Sequence, residues 1–243
     1  MESIRKATRE YAYDIYRDKR KGESFSNVDP SEFFLHMNID INDVISTPTI
    51  PGIIHVDTND SKLVSLANTL TTVYDAEGHP SIGNESKRSD FVQPFLTCAI
   101  SRYNRRTEHK VRLEREYTIE NELYTGQVEF VITNKMSRCV LVTIEVKKQD
   151  WDLGRAQNIL EMFVSHSANT DKGLPESHIV YGCLSTGDLW ELYSYEGFDK
   201  GWKYYGRLEA LKIDDIRADI VFDIGRVRKL LEIISYMIEH AMS

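Results

Sequence analysis

Apolar positions along the chain change their spacing several times, and each change marks an element. Between residues 60 and 74, Leu63, Leu66, Leu70 and Val73 recur at helical spacing. Asn84 suits the cap of a second helix running to about Asn104, which Pro94 should kink. The pattern then shortens to two. Val111 and Leu113 alternate with charged neighbours in a strand from Lys110 to Tyr117, and residues 126–133 and 139–147 are rich in Val, Ile, Phe and Thr around a polar Asn134–Arg138 turn. These two runs read as an antiparallel hairpin. A helix from Leu153 to Ser165 follows, with Gln157, Leu160 and Val164 on one side. Residues 178–184 and 190–195 form a second hairpin, Trp202–Tyr205 adds an edge strand, and a closing helix spans Asp223 to Met242. That last helix carries the stripe Val227, Leu230, Leu231, Ile234 and Ile238, suited to the domain or to a second copy in a homodimer. Upstream, residues 2–20 read as a helix, Asp29-Pro30-Ser31-Glu32 as the start of another, and Thr47–Asp57 as a loop leading into a short strand.

Composition narrows the class. At 243 residues and 41% hydrophobic content the chain can bury a full core, as one α/β domain with an extension or as two small lobes. A net charge of −8 argues against a generally basic nucleic-acid coat. Any such binding would use local patches, the candidates being Arg102, Arg105, Arg106, Lys110 and Arg112, with Lys148 beside the hairpin; the bland alternative is a solvated helix end and loop. Arg17, Lys19, Arg20 and Lys21 read either as a nuclear-import signal or as a helix C-terminus favoured by its dipole. Cys98, Cys139 and Cys183 have no paired spacing and suit a reducing compartment. No secretory signal or membrane span is visible, so an intracellular setting, including the nucleus, is expected. The aromatic run from Trp190 to Tyr205 suits core packing better than base stacking. Motifs for ATP, nicotinamide, serine hydrolysis and zinc proteolysis are absent from the sequence.

The first hairpin carries the candidate chemistry. With its turn centred on Ser137, Glu129 lies opposite Glu145. Alternation then puts Glu129, Glu145 and Lys147 on one face, and Val128, Phe130, Ile132, Val142, Ile144 and Val146 on the other. Glu-x-Lys on a strand is ordinarily a solvated face with a weak ion pair. Here the strand is otherwise strongly apolar. Two carboxylates directly across a strand pair are destabilising by up to about 1 kcal/mol, so the pair calls for a compensating cation. A hard divalent ion would supply it.

The order of an acid, then Glu145-Val146-Lys147, then a glutamine-bearing helix resembles the PD-(D/E)XK nuclease superfamily. The pattern is similar in particular to nuclease-like domains of crinkler-type effectors and related fungal and oomycete proteins. Gly126–Phe130, Ile144–Lys148, Gly154–Asn158 and the upstream Glu85, Arg88 and Phe91–Leu96 match it, covering roughly residues 84–195. The resemblance implies a restriction-endonuclease-like fold, with a central mixed sheet flanked by helices over residues 81–243 and an N-terminal helical extension over 1–80. It implies Glu129 and Glu145 as ligands to Mg²⁺ or Mn²⁺, helped by the carbonyl of Val146. Lys147 would position or activate water, Gln157 would orient the site, and Glu85 would be an outlying acid. The implied activity is endonucleolytic hydrolysis of DNA, ahead of RNA, to phosphate-ended fragments. The alternative is an inactive relative that binds nucleic acid or a host protein.

Overall fold

The computed structural model describes residues 52–148, 150–211 and 223–243, with six scattered positions upstream. The helix expected over residues 2–20 and the cluster Arg17–Lys21 lie outside the described residues, while of the helix expected from Asp29 the described Glu32, Phe34 and Leu35 are helical.

In chain order the described elements are β1 (Glu23–Ser24), α1 (Ser61–Glu77), a 3₁₀ turn (Pro80–Ile82), α2 (Glu85–Arg106), β2 (Val111–Glu120), β3 (Tyr124–Asn134) and β4 (Val140–Val146). They continue with α3 (Trp151–Asp171), β5 (Val180–Ser185), β6 (Leu189–Tyr195), α4 (Gly197–Lys200), β7 (Trp202–Glu209) and α5 (Ile224–Ala241). The sheet runs β2-β3-β4-β5-β6-β7. The pairs β2–β3–β4 and β5–β6–β7 are antiparallel, while β4 and β5 are parallel and joined by α3. A parallel pair requires such a crossover. The two-residue β1 pairs in parallel with the start of β3. The expected α/β architecture, a mixed sheet flanked by helices, is what the chain forms.

Helices cover both faces, which is why β4 is buried along its whole length. On one side Phe91, Phe95 and Leu96 of α2 pack with Leu63, Leu66 and Leu70 of α1, and with Leu230, Leu231 and Ile234 of α5. On the other, Ile159, Phe163 and Val164 of α3 pack on Val131, Val180 and Tyr193. Within the described residues α1 shares its core with α2 and α5. One sequence expectation changes here. The apolar stripe of α5 is spent inside its own chain, Val227, Leu230, Leu231, Ile234 and Ile238 being buried, so the homodimer expected through that stripe loses its surface.

Asn84 caps α2 as expected, its side chain accepting from the Lys87 N–H, and the helix continues through Pro94. The buried Arg88 fastens this helix end to the β5–β6 turn. It donates to the carbonyls of Thr186 at 3.1 Å and Ser81 at 2.9 Å. Burial pulls its pKa down, against the attraction of Asp188 and Glu85.

Candidate active site

β3 and β4 pair from Phe130↔Ile144 to Thr133↔Val140, with a bulge near the turn. Continuing the register one residue sets Glu129 against Glu145, as the sequence count predicts. The ladder ends there. Strict alternation ends there too. Glu116, across β3 from Glu129, has φ 47°, a left-handed conformation uncommon for a residue with a side chain. Leu113 and Phe130 therefore pack toward α2, whereas Tyr117, Ile119 and Val128 pack toward α3. The expected placement of Val128 with Phe130 is thus corrected. An irregularity in the neighbouring strand reverses the side on which Val128 packs, and a count along β3 alone does not include it.

At this break the two carboxylates meet different helices. Ser89 Oγ of α2 lies 2.8 Å from Glu129 Oε1 and 3.0 Å from the carbonyl of Glu85. A hydroxyl has one proton to donate, and the ionised carboxylate is the stronger acceptor. Glu145 is 7% exposed and meets Lys147 Nζ at 2.6 Å. Glu161 of α3, 2% exposed, adjoins Glu145 closely enough for that charge to oppose its ionisation, and accepts from Asn158 Nδ2 at 3.3 Å. The same amide nitrogen lies 3.2 Å from Thr143 Oγ1 of β4. Glu129 is close enough to Glu145 to oppose its ionisation. Three acids and one lysine thus converge from β3, β4 and α3.

Electrostatics divides their roles. Burial pushes the Glu161 carboxyl well above the usual carboxylate range, and the neighbouring Glu145 pushes it further. Burial raises Glu145 as well, against the pull of Lys147. Of the two, Glu161 is the deeper and the more strongly raised, so it is the better host for a proton shared by the pair. Burial works against the Lys147 ammonium, but Glu145 more than offsets it and holds the pKa above the ordinary lysine value. Lys147 is therefore a cation here.

Gly154 brings α3 onto the strands. A Cβ there would lie 2.8 Å from Lys147 Cγ and from Leu184 Cδ1, so only glycine permits this approach. Asn158 and Glu161 continue the same helical stripe, with Gln157 on its flank. Gln157 Oε1 is buried with no hydrogen-bond partner among the described residues, and no bond joins Gln157 to Glu129, Glu145 or Lys147. Glu85 is exposed at the start of α2, yet its charge reaches Lys147.

The basic candidates fare differently. Arg102 pairs with Asp60, Arg106 with Glu239 at 2.7 Å, and Arg112 with Glu114 at 2.9 Å, while Lys110 caps the carbonyl of Thr107 at 2.7 Å. Arg102 lies thirteen residues along α2 from Ser89, about 20 Å. Of this set, only the exposed Lys148 adjoins the acids.

Farther along the same sheet face is a charged cluster that sequence reasoning missed. Register places Glu145, Leu184, Glu191 and Arg207 in one row across β4 to β7. Glu191, 1% exposed, accepts Arg155 Nε at 2.8 Å and Nη2 at 2.8 Å, Arg207 Nη2 at 2.6 Å and Nε at 3.0 Å, and Tyr193 Oη at 2.7 Å. Burial alone would raise this carboxyl, but these hydrogen bonds, from Arg155, Tyr193 and Arg207, hold it below the usual range. The Arg207 guanidinium also lies 4.4 Å over the Trp151 ring.

No family model and no curated protein sequence matches this chain. Among solved structures, the type IIG restriction endonuclease BpuSI is similar over 62% of this chain and 16% of its own length, at 16% identity and a TM-score of 0.38. The chain thus spans about a sixth of that protein. A likeness at this level bears on no residue of the site.

Proposed function

We propose that the chain is a Mg²⁺- or Mn²⁺-dependent nuclease of the PD-(D/E)XK type, acting on DNA ahead of RNA. The observation that carries this reading is the convergence of Glu129 and the buried Glu145–Lys147 pair where β3 and β4 stop pairing. Among the described residues no three His, Cys, Asp or Glu side chains form a ready-made metal cluster. The donor set nevertheless fits a hard cation: Mg²⁺ commonly keeps several waters and is held by one or two carboxylates together with substrate phosphates. Glu129, Glu145 and the Val146 carbonyl would hold it. When bound, the ion supplies an activated water and neutralises charge on the phosphodiester.

The chain's own groups do the rest. Lys147, as an ammonium tied to Glu145, steadies negative charge building on the phosphate. Ser89 orients the Glu129 carboxylate from α2, and Glu161 keeps a proton beside Glu145. Gln157, whose carbonyl oxygen has no partner among the described residues, would orient water from the flank of α3. The motif likeness to crinkler-type domains supports the same reading. A second reading, an inactive nuclease-fold protein that binds nucleic acid or a host protein, draws support from the acids being partly satisfied by Ser89, Lys147 and Asn158.

Calorimetric titration of Mn²⁺ into wild type and Glu145→Ala separates the two. The nuclease reading expects uptake by wild type only, with Mn²⁺-dependent cleavage of plasmid, linear duplex, single strands or RNA. Absent uptake by the wild type rejects it in favour of the scaffold.

A further inference from the structure

We propose that Arg207, braced by Glu191 and stacked on Trp151, forms a subsite for a backbone phosphate of the nucleic-acid strand held at Glu129 and Glu145, an assignment that rests on the nuclease reading above. Glu191 is one carboxylate met by two guanidiniums. Arg155 already satisfies it through a two-point fork, and its remaining Nη1 binds Asp152 at 2.7 Å. Arg207 is therefore more than the buried acid needs. Its Nε and Nη2 are fixed on Glu191, whereas Nη1 has no partner among the described residues and the side chain is 42% exposed. A guanidinium held flat by two hydrogen bonds and an aromatic ring has little rotamer freedom left to lose, and phosphate is the anion its fork suits best.

Position supports the same ligand. Glu191 and Glu145 share a sheet face two strands apart, about 10 Å. That span corresponds to about three 3.4 Å base-pair rises along the axis of a duplex. Among the described residues β7 is the edge strand, so no further strand covers Arg207. Lys148 stands exposed at the exit of β4, three residues beyond Glu145. Arg102 and Arg106, at the far end of α2, are by contrast paired with Asp60 and Glu239.

The test is the anisotropy of a short labelled duplex and its single strand in EDTA, titrated with wild type, Arg207→Gln and Arg207→Lys over about 50 to 200 mM salt. Arg207→Gln should bind about tenfold more weakly, with the slope of log K against log salt smaller by about one. Arg207→Lys should restore most of the slope but not all of the affinity, because a point charge replaces the fork. Melting temperatures of all three proteins and Mn²⁺ calorimetry accompany the titration. Unchanged affinity and slope in Arg207→Gln overturn the subsite, as does a lowered melting temperature with an unchanged slope, which marks a purely structural cluster. Failure of the wild type to bind either strand form also overturns it. The nuclease reading fails separately, if wild type binds the duplex with the expected Arg207 dependence yet takes up no Mn²⁺.

Discussion

Two buried glutamates stand on one row of one sheet face, and the fold treats them in opposite ways. Around Glu191 two arginines and a tyrosine donate, so the carboxyl is held below its usual range. Around Glu145 a single lysine faces two further acids, and both Glu145 and Glu161 are raised. The first is an acid with its cations built in. The second lacks them, an arrangement that costs stability unless something else supplies positive charge. Neighbouring sites in a shared hydrophobic setting thus differ by their count of cations, which separates a brace from the proposed active site.

The comparison breaks most visibly at the brace. Glu191→Ala leaves Arg155 and Arg207 without their shared carboxylate, and urea unfolding should show a loss of about 3 kcal/mol. A loss below the usual surface range would mean that Glu191 is no brace at all. Next in size, Lys147→Ala should lower cleavage at least about 100-fold, about 2.7 kcal/mol on the barrier, while calorimetry still records Mn²⁺ uptake. Unchanged cleavage would remove Lys147 from the reactive centre. Glu161→Gln, by contrast, should stabilise the protein by about 1 kcal/mol near neutral pH, because it removes a buried group that the fold must keep protonated.

The pH dependence sharpens the contrast through its sign. Glu161 holds its proton more tightly folded than unfolded, so its contribution weakens stability as pH rises from about 4.5 toward its raised folded pKa. Urea titrations in that window should show wild type falling relative to Glu161→Gln. Glu191 is lowered, so its contribution is present above about 4.5 and fades as pH drops through its folded pKa. The gap between wild type and Glu191→Gln should narrow only on that acid side.

Local pattern carried the strands, the register of Glu129 against Glu145, and most of the helices, because hydrophobic period and turn residues are written in consecutive positions. Partners from distant segments were less legible. Ser89 meets Glu129 forty residues away, and Arg155 meets Glu191 across thirty-six. Glu161 left a usable signal. It sits in Ile159-Leu160-Glu161-Met162-Phe163-Val164, apolar all round the helix, where an acid has no solvated face to occupy. The break at Glu116 left none, since a left-handed φ at a glutamate follows from packing and has no residue signature.

The close seat of α3 at Gly154 has a consequence for how this protein can change over generations. The helix bears Arg155, Gln157, Asn158 and Glu161 together, so a methyl added at 154 would act as a wedge beneath all four, lifting them as one rank from strand-borne Glu145 and Glu191. A single codon is therefore a thickness control for the gap between helix and sheet. Both clusters can be retuned through it without altering any of the groups that define them.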